Sequence, residues 1–309
     1  GDSFSPEYAK ISIGGFFLDS QKSKEAYTSL IEDYTAQSKI RPFFATDLEG
    51  AWNPFPFFKS KTFQEIKTAI EAEELARSHA LILDELGFNI DFSPIVEVRN
   101  TVWPARSFNG TEQEIKEKIS AYIKTMQMNN IHATAKHYPG GNMLKDPHIK
   151  KVKSTITNED LSFFDQAIIS NVSIIMVGHS IVNGEIDSNG RQSSISKDVI
   201  DTLKQNFSGL IITDAIQMNG LSLSYFFKKD RIYLDAIRAG NDIVLDTSSS
   251  FIPSKLKKRI DLIKKEIEKG NIPPSQIDRS VEKILNFKGY HSTVTFVLLQ
   301  PNFIMRMTF

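Results

Sequence analysis

Residues that could transfer protons, attack carbon or bind a polar substrate lie at the ends of several strand-like runs. The stretch AKHYPGGNMLKDPH (135–148) contains two of the six histidines, a lysine, and an aspartate two positions before the second histidine. The complete set at strand ends is Asp47, Glu49, Glu97, Lys136, His137, His179 and Asp214. A single polar residue after a strand is usually a loop residue or a helix cap. The coincidence at five strand ends favours a functional site.

A metal site is one alternative for the histidines. His137, His148 and His179 could be ligands, but the sequence has no H-x-H or H-x₃-H pair and no cysteine. Thiolate metal sites, disulfides and a cysteine nucleophile are therefore excluded. A metal-dependent hydrolase is the weaker hypothesis, and we expect no cofactor.

Alternating strand and helix patterns predict the framework that positions these residues. The predicted strands are 11–17, 41–47, 90–98, 132–137, 173–179, 209–214 and 242–246. They are rich in Ile, Val and Phe and mostly lack alternation, as in parallel strands buried on both faces. The predicted helices are 63–87, which stops at Gly87, 111–130, which opens with a capping box, 196–207, 255–270 and 275–289.

Seven such units without a Gly-rich dinucleotide fingerprint predict an α/β fold, a (β/α)8 TIM-type barrel that can be irregular or incomplete at its first strand. We expect residues 1–291 to form one catalytic domain. The tail 292–309 is apolar and β-rich, and we expect either a strand or disorder there.

The charge balance limits the partners of the chain. Its 309 residues include 37 Lys plus Arg and 37 Asp plus Glu, a balance that argues against nucleic acid as a partner. No apolar run is long enough to span a membrane, and GDSFSPEYAK at the start lacks a signal pattern. We expect a monomer; a cytoplasmic location is slightly favoured over an exported form whose signal has been removed.

Several motifs resemble glycoside hydrolase family 3, most closely its β-N-acetylglucosaminidase branch. KHYPG with a downstream D-x-H is similar to the family signature K-H-[FY]-P-G…D-S-H. Further segments that resemble the family in its own order, over residues 11 to 289, are IGGFFL, TDLEGA (46–51), LGFNIDFSPIVEV (86–98), ARSF (105–108), MVGHSIVNGEID (176–187), GLIITDAIQMNGL (209–221) and AIRAGNDIVL (236–245).

The resemblance implies a chemistry and a role for each matching residue. Such enzymes retain the anomeric configuration through a covalent glycosyl-enzyme. Asp214 takes the position of the nucleophile, and His148, oriented by Asp146, takes that of the acid/base. An imidazole titrates near pH ~6.5 and can both give and accept a proton. The matching substrate-binding residues are Asp47, Arg106, Lys136, His137, His179 and Met218, with core packing as the alternative for the last two.

The implied function is a retaining exo-β-N-acetylglucosaminidase that removes terminal N-acetylglucosamine from cell-wall or chitin-type fragments, so the partner is an amino-sugar glycoside. A glycoside phosphorylase is the first alternative, because a histidine acid/base repels phosphate less than a carboxylate would. A non-catalytic sugar-binding relative is the second.

The sequence departs from the family in the segment that carries the proposed acid/base. Gly141-Asn142 replaces the family's H-G, the loop is one residue shorter, and Pro147 replaces serine and stiffens the chain beside Asp146. Ala51-Trp52-Asn53 stands where the family has a glycine and an arginine, and Ala215 replaces the second acid of S-D-D. Family members also have a strand before IGGFF, and we expect either that 293–300 takes its place or that the chain is incomplete there.

Overall fold

A computed structural model of the chain describes residues 4–97, 102–141, 150–225, 228–247 and 253–290. The main sheet is parallel throughout and contains, in spatial order, β1 (Gly15–Phe17), β2 (Phe43–Thr46), β3 (Ile90–Asp91), β4 (His132–Tyr138), β6 (Ile174–Val177) and β8 (Leu210–Thr213). A separate parallel pair is formed by β5 (Lys153–Ile156) and β7 (Ile181–Gly184).

Helices connect and cover the strands. They are α1 (Pro6–Ile11), α2 (Lys24–Ala36), α3 (Ala69–Leu86), α4 (Glu112–Met128), α5 (Asn158–Ile169), α6 (Lys197–Asn206), α7 (Asn219–Ser222), α8 (Arg231–Ala239), α9 (Pro253–Glu268) and α10 (Pro274–Phe287). Strand followed by helix, repeated with parallel pairing, is the α/β architecture predicted above. In the part of the chain that the structure describes, no helix is both long and apolar enough to cross a membrane.

The sheet is curled, with one face turned inward. Alternate residues of its strands form an inner apolar cluster: Phe43, Ala45, Ile90, Phe92, Ile174, Met176, Leu210 and Ile212. The Phe17 and Phe92 rings stack with centroids 5.9 Å apart, although β2 separates β1 from β3. Two strand spacings would amount to about 10 Å in a flat sheet. The strands therefore bend around a common interior, while their other faces pack against the helices.

Most of the predicted elements are confirmed, with bounds that differ by a few residues. Gly87 ends α3 in the left-handed conformation (φ 89°), and Thr111 begins α4 with a capping box to Glu114. The predicted helix 63–87 is interrupted, because a short 3-10 turn at Phe63–Glu65 precedes α3. The predicted strand 242–246 forms a single parallel bridge, between Ile212 and Ile243.

Other features went unpredicted or fall elsewhere. Helices α2, α5 and α8 and the β5–β7 pair were not predicted. Residue 11, placed in the first predicted strand, ends α1. The tail strand proposed at 293–300 lies outside the described residues, and six strands are hydrogen-bonded in the curled sheet among those that the structure describes.

The end of α10 ties down the amino-terminal ends of the strands. Lys288 Nζ donates to the carbonyl oxygens of Gly14 (2.7 Å) and Arg41 (2.8 Å). The Phe287 carbonyl accepts from the His132 ring at 3.1 Å. These contacts lie at the end of the sheet opposite to the carboxyl ends of the strands, where the charged residues gather.

Candidate active site

A compact cluster of four charged side chains lies at the carboxyl ends of β2 and β4. Lys136 Nζ is 2.5 Å from Asp47 Oδ1 and 2.6 Å from Glu49 Oε1. Arg106, in a short 3-10 turn, donates to both Glu49 oxygens, at 2.5 and 2.9 Å. Two cations therefore balance two carboxylates, which is how buried charge is tolerated.

The two carboxylates differ in how many cations they contact. Burial would raise the pKa of Glu49, but Lys136 and Arg106 together lower it to about 2. Burial raises the pKa of Asp47 above its ordinary 3.8, since Lys136 only partly offsets burial and Glu49 adds repulsion. Asp47 has the more exposed side chain, at 28% against 0% for Glu49. Asp47 is thus the more accessible and more easily protonated oxygen donor for a ligand.

A second group of residues, Glu97, His137 and Asp214, lies at the carboxyl ends of the strands. Glu97 Oε1 accepts from the backbone N–H of His137 at 2.6 Å and lies 2.9 Å from its Nδ1. The other ring nitrogen, Nε2, is 3.9 Å from Asp214 Oδ2. Glu97 therefore fixes the ring of His137 so that its far nitrogen faces Asp214.

An irregularity in β4 brings neighbouring residues of one strand to the same site. Lys136 pairs with Met176 and Tyr138 with Val177, so that His137 is an extra residue in the ladder. A regular strand would direct successive side chains to opposite faces, and a bulge re-aims one of them. Both Lys136 and His137 can therefore contribute to the site.

Asp214 follows β8 directly and is held by the backbone on both sides. Its N–H donates to Val177 O at 2.9 Å, and its Oδ1 accepts the Ala215 N–H at 2.7 Å. Burial would raise the pKa of Asp214, but His137, His179, the Ala215 N–H and Lys136 hold it below 3.8. The carboxylate is therefore ionised at neutral pH, as a nucleophile must be.

His179 and Met218 lie beside the Asp214 segment. His179 Nε2 is 3.0 Å from the Ala215 carbonyl oxygen, and its Nδ1 is 2.7 Å from Ser194 Oγ. Met218 is 7% exposed, and its N–H donates to the same Ala215 carbonyl at 3.1 Å. Both residues thus contact the backbone that follows Asp214.

Some of the site residues predicted from the sequence lie together in the structure, and others lie outside the described residues. Asp47, Arg106, Lys136, His137 and Asp214 are linked by the contacts above. Asp146 and His148 lie outside the described residues. Among the described residues, no group of three His, Asp or Glu could hold a metal ion.

Glu49 and Glu97 complete the site, although the sequence assigned neither a role. Both belong to the set at strand ends, and that position was the signal that could have found them.

The chain belongs to glycosyl hydrolase family 3, because the model of the family's N-terminal domain matches residues 6–287. The resemblance inferred from the motifs is confirmed.

Among the relatives, the β-hexosaminidase LpqI of Mycobacterium tuberculosis is 26% identical over 247 residues, covering 74% of this chain and 62% of that protein. A β-N-acetylglucosaminidase/β-glucosidase of Cellulomonas fimi is 26% identical over 225 residues, covering 66% and 38%. The chain thus spans less than two thirds of these relatives. The family 3 β-N-acetylglucosaminidase structure from Paenibacillus sp. str. FPU-7 shares the fold, with a TM-score of 0.82 at 22% identity, covering 96% of this chain and 62% of that one.

Proposed function

We propose that the protein is a retaining exo-β-N-acetylglucosaminidase that releases terminal N-acetylglucosamine from cell-wall or chitin-type fragments. The observation that carries this proposal is the ionised Asp214 carboxylate, 3.9 Å from the His137 ring and adjacent to a buried cluster of charged donors and acceptors. Relatives named as β-hexosaminidases support the choice of substrate.

In the proposed first step, an Asp214 oxygen attacks the anomeric carbon. The bond from this carbon to the leaving oxygen breaks, and the leaving oxygen takes a proton from the acid/base. In the second step water gives a proton back to that residue and attacks the same carbon, and the electron pair of the ester bond returns to Asp214. Two displacements on one carbon retain its configuration.

His148, oriented by Asp146, is the proposed acid/base. Among the described residues around Asp214, the other carboxylates are already engaged: Asp47 and Glu49 with cations, and Glu97 with His137. A group engaged in this way is a poor proton donor to a leaving oxygen. The acid is assigned to His148 because D-P-H at 146–148 resembles the D-S-H that carries the acid/base in the family signature.

The charged cluster is the proposed binding site for the sugar hydroxyls. Asp47 and the donors Lys136, His137 and Arg106 can make the charge-assisted hydrogen bonds that recognise a polyol. His179 and Met218 complete the wall next to Asp214.

We also infer that the curled sheet belongs to a (β/α)8-type barrel whose active site lies at the carboxyl ends of its strands. The inner apolar cluster supports this inference, since Ile243 and Leu245 from the seventh predicted strand pack against it together with Phe17 from β1. One domain over residues 1–291 and a monomeric state remain predictions.

Hydrolysis of an aryl N-acetyl-β-glucosaminide, followed by trapping, tests the proposal. A fluorinated N-acetylglucosaminyl donor should attach to the peptide that contains Asp214, and mass spectrometry should locate the label there. Asp214→Asn should abolish both turnover and labelling, whereas Asp201→Asn, at an exposed position of α6, should do neither. Absence of turnover and of labelling in the unmodified protein would refute an enzymatic role.

The same assay with inorganic phosphate separates hydrolysis from phosphorolysis. A hydrolase releases free N-acetylglucosamine at a rate that phosphate does not change. Sugar 1-phosphate as the main product would instead identify a phosphorylase.

A further inference from the structure

A chain of buried hydrogen bonds begins next to the charged cluster and ends in a loop. Asp91, at the end of β3, lies 2.7 Å from Ser93 Oγ, which is 2.8 Å from the Tyr122 hydroxyl. That hydroxyl is 2.7 Å from His79 Nδ1, and His79 Nε2 is 2.7 Å from Ser60 Oγ. The first four residues are fully buried. Burying so many polar groups costs free energy that apolar side chains at these positions would not cost, which suggests that the hydrogen bonds have a specific role.

The carboxylate of Asp91 accepts at its end of the chain. Ser93 Oγ donates to Asp91 Oδ2 at 2.7 Å, and the Tyr122 hydroxyl donates to the same oxygen at 3.3 Å. The ring nitrogens of His79 bridge the Tyr122 hydroxyl and Ser60 Oγ, one as donor and the other as acceptor. Burial lowers the pKa of His79 to about 3, which keeps the ring neutral, as this arrangement requires.

Both ends of the chain hold the same loop, residues 47–62, which joins β2 to the helical segment before α3. At one end Asp91 Oδ1 accepts the N–H of Leu48 at 3.0 Å, and Leu48 lies between Asp47 and Glu49. At the other end His79 holds Ser60.

The two limbs of this loop also touch each other. A Cβ added to Gly50 would lie 1.9 Å from the Lys61 carbonyl oxygen. A shift of Ser60 and Lys61 toward Gly50 would therefore press on the residue next to Glu49. The far end of the hydrogen-bond chain is thus coupled by packing to the charged cluster.

We propose that Asp91 is a positioning residue for Asp47 and Glu49, and that Tyr122 and His79 extend its restraint to the far limb of the 47–62 loop. These hydrogen bonds would restrain the 47–62 loop whatever reaction the protein catalyses. The expected effect on an amino-sugar substrate, in contrast, rests on the proposed function. A role limited to packing α3 against α4 would leave the loop and substrate affinity unaffected.

The matched pair Tyr122→Phe and Tyr34→Phe tests the restraint. Tyr122→Phe removes one hydroxyl and keeps the ring, which packs edge-on against Phe63 at 5.1 Å. Tyr34 is also buried, and its hydroxyl accepts the N–H of Ser5, outside this chain of bonds. The readout is hydrogen–deuterium exchange of peptides covering 47–62, measured without substrate.

Exchange in this loop should increase about tenfold in Tyr122→Phe, as expected when a buried hydrogen bond is lost, and should not change in Tyr34→Phe. KM for the aryl glycoside should rise several-fold in Tyr122→Phe, with kcat changing less and with equal losses for good and poor leaving groups. Unchanged exchange together with an unchanged KM would overturn the proposal.

Two substitutions of Asp91 provide a second test if Tyr122→Phe folds poorly. An asparagine can still accept from the Leu48 N–H, so Asp91→Asn should stay close to the unmodified protein in loop exchange and KM, while Asp91→Ala should not. Equal effects of the two would count against positioning. If the unmodified protein cleaves no N-acetylglucosaminide, the proposed function fails, whereas loop exchange still decides whether the restraint exists.

Discussion

Replacing Asp91 with asparagine should change how the stability of the protein depends on pH. Burial raises the pKa of Asp91 from 3.8 to about 7, because the hydrogen bonds from the Leu48 N–H and from Ser93 offset it only in part. Asparagine has nearly the same shape, can still accept from the Leu48 N–H, and does not titrate.

The sign and size of the effect follow from proton linkage. Between about pH 4 and pH 7 the unfolded chain loses the Asp91 proton while the folded chain keeps it, so stability falls as pH rises. At 1.36 kcal/mol for each pKa unit, this group costs the folded protein up to about 4 kcal/mol by pH 7 and nothing further above it. Asparagine does not titrate, so the free energy of unfolding of Asp91→Asn does not fall in this way.

Urea unfolding of both proteins at intervals from pH 5 to pH 8 measures the effect. All other titrating groups are common to the two proteins, so the difference in their free energies of unfolding isolates Asp91. That difference should shift in favour of Asp91→Asn by up to about 3 kcal/mol over this range, most of it below pH 7. A difference independent of pH would mean that Asp91 is ionised over this whole range in the folded protein, and would refute the raised pKa.

Three further substitutions probe the site. Lys136→Met leaves the carboxylates of Asp47 and Glu49 without their shared cation and should destabilise the fold by about 3–5 kcal/mol in urea unfolding; a loss under about 1 kcal/mol would contradict the pairing. Arg106→Ala should raise KM about tenfold or more, as loss of a charged hydrogen bond does, with an unchanged pH–rate profile; a shifted profile would indicate a role in proton transfer. His148→Ala should slow poor leaving groups far more than activated aryl ones, and equal losses would count against its role as the acid.

The sequence predicted the strand-end residues better than their interactions. Buried parallel strands appear as short Ile- and Val-rich runs, so the positions of Asp47, Lys136 and Asp214 could be inferred from where those runs end. The contact between Lys136 and Asp47 joins residues 89 positions apart, and local patterns contain no information on such a distance. The pairing of Lys136 with Glu49 was missed for the same reason.

One of the unpredicted elements, strand β5, has a weak hydrophobic pattern. Strand β5 reads KSTI and is mostly solvent-facing, so it has no apolar run to mark it. The polar chain from Asp91 was missed because His79 and Tyr122 lie on the buried faces of amphipathic helices, where the pattern alone predicts apolar packing. Their partners become visible only when α3 and α4 are packed together.

The contact of Lys288 with the carbonyl of Gly14 has a consequence for synthesis on the ribosome. The two residues are 274 positions apart, and at about 5–20 residues per second the first strand emerges about 14–55 seconds before its partner is made. During that interval the amino-terminal edge of the nascent sheet lacks its final cover. Strands that remain uncovered for this time can form non-native pairings. We therefore expect chaperones to affect the folding of this protein most strongly before residue 288 is translated.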